Sequence, residues 1–287
     1  VLILGFVGYS VFAGVFDFDI ALKLGAAWFV LVLLQFVITK NELTKSHSYS
    51  LFIFTFLIIQ INAITSPLNA WVALVFLMLA MRRLWSLKSG KDLSKKIFDA
   101  ALWIAIASLF HAVSVLFFSV LFIAIFLYAR MNIKNWFIPV FAVVSVWICA
   151  FTVEYVMDVR LLDPIYNPLD YDPIWSQVSF SAMHAIVVFS WIFIAVLCLG
   201  FLSRMSQFQQ SVIPRFSLLF FMGLLVFGIG LFSFPTFKNT AMLWGFIPIS
   251  IFMARAVNSL SKNWLKELLL WVPVVLVSLG YLFSFSM

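Results

Sequence analysis

Charge is scarce in this chain. Only 10% of its 287 residues are Asp, Glu, Lys or Arg, 65% are hydrophobic, and the mean hydropathy is +1.14. Soluble domains carry about a quarter charged residues, so a soluble globule and a disordered tail are both excluded. Cysteine is nearly absent. Cys149 and Cys198 both fall in apolar runs, which excludes a disulfide scaffold and leaves them as small hydrophobic side chains. Also missing are a phosphate-binding glycine loop, HExxH, paired CxxC, GxSxG, a dinucleotide fingerprint and an Arg-spaced voltage sensor. No metal and no cofactor is expected.

What the chain does have is a series of apolar runs long enough to cross a bilayer. They lie near 1–16, 22–39, 49–65, 69–83, 97–110, 113–130, 136–156, 181–202, 216–232, 240–255 and 267–286. This predicts an all-α fold, a polytopic transmembrane helical bundle of about eleven spans, with residues 1–287 forming a single domain. Val1 stands inside an apolar stretch, so 1–16 reads as the remainder of a first span whose natural start is missing, rather than as a signal peptide. The apolar stretch from Ile97 to Tyr128 exceeds one ordinary span and is divided near His111.

Basic residues usually mark the cytoplasmic face of a membrane protein. With the first span running outward, the inner connections hold Lys40, Lys45, Arg82, Arg83, Lys88, Lys91, Lys95, Lys96, Arg130, Lys134, Arg204, Arg215, Arg255, Lys262 and Lys266. Only Lys23, Arg160 and Lys238 then remain outside. The net charge of +7 is therefore read as topology, and no nucleic-acid partner is expected. Within the inner loop 82–96, Arg82, Arg83, Lys88, Lys91, Lys95 and Lys96 are expected to touch anionic lipid headgroups. Asp99 follows Lys95 by four residues, which predicts an ion pair within the first turns of one helix. The outer loop 154–181 carries Pro164, Pro168 and Pro173 with Tyr155, Tyr166, Tyr171 and Trp175. It is expected to form an ordered outer cap, in which Arg160 pairs with Asp158 or Asp163.

Candidate functional residues gather near the outer ends of the spans. Gln60, Asn62, Asn69, His111, Glu154, Arg160, His184 and Lys238 either line a shared outward-facing polar cavity or act as separate interfacial caps. Burying a polar group near the interface costs little, which favours the separate caps. His111 reads as a hydrogen-bonded turn residue before a proton relay or ligand. Glu154 and Asp158 stand at i,i+4 spacing, as where a helix runs into water.

The segments KNELTKSHSYSLF, NAWVALVFLMLAMRRLWSL, KKIFDAALWIAIASLFHAVSVLFFSVLFIAIF and KNWFIPVFA, in that order, resemble an uncharacterised family of bacterial multi-pass inner-membrane proteins. The likeness covers the first half to two-thirds of the chain, implies a bacterial inner membrane and supplies no activity. A fainter resemblance is to integral-membrane glycosyltransferases that use polyprenyl-phosphate sugars. Their acidic residue in the first outer loop would correspond to Asp17 or Asp19, as general base or metal ligand. The loop here is too short for the usual amphipathic helices.

Two functions follow as expectations. The first is a non-catalytic inner-membrane scaffold of a bacterial envelope assembly, with membrane lipids and other envelope proteins as partners. The second is a glycosyltransferase-like protein that handles a polyprenyl lipid at the outer face. A transporter is disfavoured, because almost no charge lies at mid-membrane and no broken helices are evident.

Overall fold

The computed structural model describes residues 18–44, 48–60, 66–129, 132–158, 218–226 and 238–259, with isolated positions at 264, 266, 267, 271 and 275. Every regular element among them is helical. In chain order these are α1 (Phe18–Asn41), α2 (Tyr49–Gln60), α3 (Leu68–Ser86), α4 (Leu93–Phe110), α5 (Phe118–Tyr128), α6 (Lys134–Met157) and α7 (Lys238–Ser259). Residues 218–226 form a further helical stretch.

Three of these helices are long and apolar enough to cross a membrane: α1, α3 with its terminal 3-10 turn (Leu68–Ser89), and α6. Tyr49–Ile58, Ala112–Tyr128 and Leu243–Arg255 are shorter apolar helices. The described residues thus hold three such spans where the sequence pattern predicts about eleven over the whole chain. Part of the difference has a physical cause. A bilayer core about 30 Å thick needs about 20 apolar residues, and α4 carries Lys95, Lys96 and Asp99 within its first two turns. The expected spans at 1–16, 181–202 and 267–286 and the outer loop beyond Asp158 lie outside the described residues, save isolated positions in the last span.

The break at His111 is present. α4 stops at Phe110, His111 is extended (φ −149°, ψ 107°), and the chain restarts as a 3-10 turn over Ala112–Phe117. Its backbone N–H donates to the Ala107 carbonyl at 3.0 Å, and its carbonyl accepts from Ser114 at 2.9 Å. Two turns of backbone are therefore closed around one extended residue with no loop between them.

α1 ends differently. Glu42 takes the left-handed conformation (φ 53°), the Leu43 N–H donates to Ile38 and the Glu42 N–H to Thr39. This is the Schellman closure, with Leu43 buried beside Ile38. Left-handed backbone costs a residue other than glycine about 1–2 kcal/mol, and burial of Leu43 offsets it by a similar amount.

The core lies among α1, α2, α3, α4 and α7, with α7 packed chiefly on α2, around Phe54, Trp71, Leu74, Leu77, Ile97, Ile104, Trp244 and Ile247. Alanines at Ala73, Ala80, Ala100, Ala101 and Ala107 are fully buried, which lets the α3 and α4 backbones approach closely. α6 presents only a narrow stripe to its neighbours: Asn135, Pro139, Ala142, Val146 and Ala150. Its other face, including Phe141, Val144, Ile148 and Phe151, is exposed and apolar, as suits contact with lipid.

Candidate functional site

The basic residues converge on one end of the bundle. Arg82 at the end of α3 lies 4.9 Å from the centre of the Phe36 ring on α1, and Lys40 lies 5.3 Å from the same ring. Arg83 Nη2 stands 2.9 Å from Asp99 Oδ2 on α4. Lys96 Nζ donates to the Ser86 carbonyl at 3.0 Å and to Ser89 Oγ at 2.6 Å, holding the α3–α4 connection closed. Gly90 (φ 68°) and Asp92 (φ 49°) make the reversal. Arg255 near the end of α7 donates to the Leu43 carbonyl at 3.5 Å.

This arrangement corrects one expectation. Asp99 pairs with Arg83 across the helix seam instead of with Lys95. Asp99 faces α3, while Lys95 points outward and lies 3.7 Å from the exposed Asp92. The six cations expected to contact lipid therefore divide. Arg82, Arg83 and Lys96 are half-buried and tie helices together, whereas Lys88, Lys91 and Lys95 are exposed.

Asn135, which sequence reasoning passed over, stitches this end together. It is buried, its Nδ2 donates to the Ala129 carbonyl at 3.1 Å, and its Oδ1 accepts from Ser94 Oγ at 3.3 Å. One amide thus joins the α5–α6 connection to the first turn of α4. Pro139 denies the Asn135 carbonyl its usual i+4 donor, so the side chain carries much of the order in this first turn. An Asn at the threshold of an apolar run was the available signal.

The opposite end holds the candidate polar residues. Asp19 was expected in a loop between two spans, but α1 already begins at Phe18. Asp19 sits in the first turn, where its carboxylate meets Lys23 Nζ at 2.6 Å, and Lys23 is itself buried. An acid in the first turn and a base one turn later suit both the helix dipole and each other. Asp17, Asn62, Arg160 and His184 lie outside the described residues, as do the side chains of Gln60 and Lys238. Glu154 is half-buried in the last turn of α6, and Asp158 closes that helix in the left-handed region (φ 53°).

His111 is the best-defined member of this set. Its ring meets Trp244 of α7 edge-on at 5.0 Å, and Phe117 meets the same indole at 5.7 Å. The Trp244 Nε1–H donates to the Ala70 carbonyl in the first turn of α3 at 3.3 Å. Asn69, the preceding residue, is exposed beside this contact. Three helices are therefore locked by one indole, which no pattern in the sequence singled out. His111 serves as a packed junction residue, in line with the turn reading. Among the described residues, no group of three or more His, Cys, Asp and Glu could hold a metal ion.

The described elements are all helical, three of them are long and apolar enough to cross a membrane, and a few polar groups, Arg83–Asp99, Ser94–Asn135 and Trp244–Ala70, join helix to helix. The chain belongs to a family of unknown function, DUF6427, whose model matches residues 1–287. This agrees with the resemblance to an uncharacterised family. No curated protein and no solved structure matches the chain.

Proposed function

We propose that this protein is a non-catalytic integral-membrane subunit, a helical scaffold of an envelope assembly in the bacterial cytoplasmic membrane. The observation that carries this reading is how the described polar side chains are used. Asp19 is matched to Lys23, Asp99 to Arg83, and Asn135 to Ser94 and Ala129. The first pair steadies the start of α1 and the other two tie helices together, whereas Glu154 keeps one buried carboxylate oxygen without a hydrogen-bond partner among the described residues. The gathering of cations at one end supports a cytoplasmic assignment for that end, and an outer assignment for the end bearing His111 and Glu154.

The glycosyltransferase alternative needs Asp17 or Asp19 as a base or metal ligand. An Asp19 carboxylate already neutralised by Lys23 is a poor choice for either role. Purification in mild detergent after crosslinking in cells should recover a stoichiometric envelope-protein partner. Asp17→Asn together with Asp19→Asn, expressed so that its level in the membrane matches wild type despite the lost Lys23 pair, should leave the cellular phenotype intact. A lone monomer without crosslinks, or loss of function in the double variant, would overturn the scaffold reading.

A further inference from the structure

We infer that the basic end carries a specific site for an anionic phospholipid, built where α4 and α6 begin side by side. The inference rests on the chain being membrane-embedded, not on its being a scaffold. The Ser94–Asn135 hydrogen bond fixes the two helix starts against each other. Lys95 and Lys134, the next residue on one side and the preceding residue on the other, flank that bond, and both are exposed. They are thirty-nine positions apart in the chain, and the packing of α4 on α6 brings together the two helix starts that carry them. Asp92 lies 3.7 Å from Lys95 and offsets part of its charge, and the neighbouring Lys91 is exposed as well.

From Lys134 an apolar strip, starting at the preceding Ile133, runs down the face of α6 opposite its packed Asn135 stripe. Ile133 is 73% exposed, Phe137 60% and Phe141 68%, and the strip continues through Val144, Ile148 and Phe151. Spacings of three and four residues keep these side chains on one helix face. Cations at the membrane surface with an apolar track running into the bilayer match a phosphodiester headgroup and its acyl chain. Free phosphate would use the lysines but not the track. A zwitterionic lipid would use the track but gain little from the lysines.

The test is lipid binding by the full chain in neutral detergent, followed by native mass spectrometry. Wild type should retain phosphatidylglycerol about 25-fold more tightly than phosphatidylcholine. Each surface cation contributes about fivefold toward an anionic lipid, so Lys95→Gln with Lys134→Gln should weaken phosphatidylglycerol binding roughly 25-fold. Phosphatidylcholine binding should stay unchanged, and Lys40→Gln, at the same end but on α1, should keep the wild-type preference. Equal binding of the two lipids by wild type, or an unaltered preference in the double variant, would overturn the site. Release of bound phosphatidylglycerol by millimolar inorganic phosphate alone would assign the lysines to free phosphate and overturn it too. Should the double variant fail to fold, photoactivatable phosphatidylglycerol on the wild type decides: crosslinks within 133–141 support the site, and crosslinks confined elsewhere refute it.

Discussion

Replacing Asn135 separates a hydrogen-bonded junction from mere polarity at a helix start. The native amide is 3% exposed, donates to the Ala129 carbonyl at 3.1 Å and accepts from Ser94 at 3.3 Å. Asn135→Ala deletes both bonds, at about 1 kcal/mol each, for a loss of about 2 kcal/mol. Asn135→Asp keeps an acceptor for Ser94 but turns the donor into a carboxylate oxygen facing the Ala129 carbonyl. It therefore loses one bond, adds an acceptor–acceptor repulsion and buries a charge that the exposed Lys134 ammonium and the helix start offset only in part. The cost should reach at least about 3 kcal/mol. Although aspartate is nearly isosteric with asparagine, it should be the worse substitution. Equilibrium unfolding in mixed micelles, followed by the fluorescence of the 11 tryptophans, gives the order directly. An Asn135→Asp protein as stable as Asn135→Ala would refute the assigned direction of both hydrogen bonds.

The Trp244 junction makes a graded prediction. Trp244→Phe keeps a ring against His111 and Phe117 but removes the donor to Ala70, costing about 1 kcal/mol. Trp244→Ala opens a cavity among three helices and should cost about 3–5 kcal/mol; equal melting temperatures for the two variants would contradict this junction. The placement of the two ends is checked by labelling single cysteines after Cys149→Ser and Cys198→Ser. Ser89→Cys and Asp158→Cys should react with an impermeant maleimide from opposite faces of sealed vesicles, and labelling from one face would disprove the assignment of the α3–α4 turn and the α6 C-terminus to opposite sides.

Much of the local structure was legible in the sequence. The run expected at 136–156 is the helix Lys134–Met157, and the division near His111 is real. Transfer from water to an apolar phase is a property summed residue by residue, so apolar runs and their interruptions can be read along the chain. The start of α1 was missed because Asp19 looks like a loop residue until Lys23, one turn on, neutralises it.

The candidate site was less legible, because its members meet between helices. Local spacing predicted that Asp99 would pair with Lys95, yet the rotation of α4 against α3 turns its carboxylate toward Arg83. Ser94 and Asn135 are 41 residues apart, and Trp244 and Ala70 are 174 apart. Hydropathy and charge by themselves determined that the described residues form helices, some long and apolar enough to cross a membrane, and that the cations cluster. Only the tertiary structure decided which cations are spent on packing and which stay exposed, because that depends on the rotation and register of one helix against another, set by buried alanines and aromatics distant in sequence.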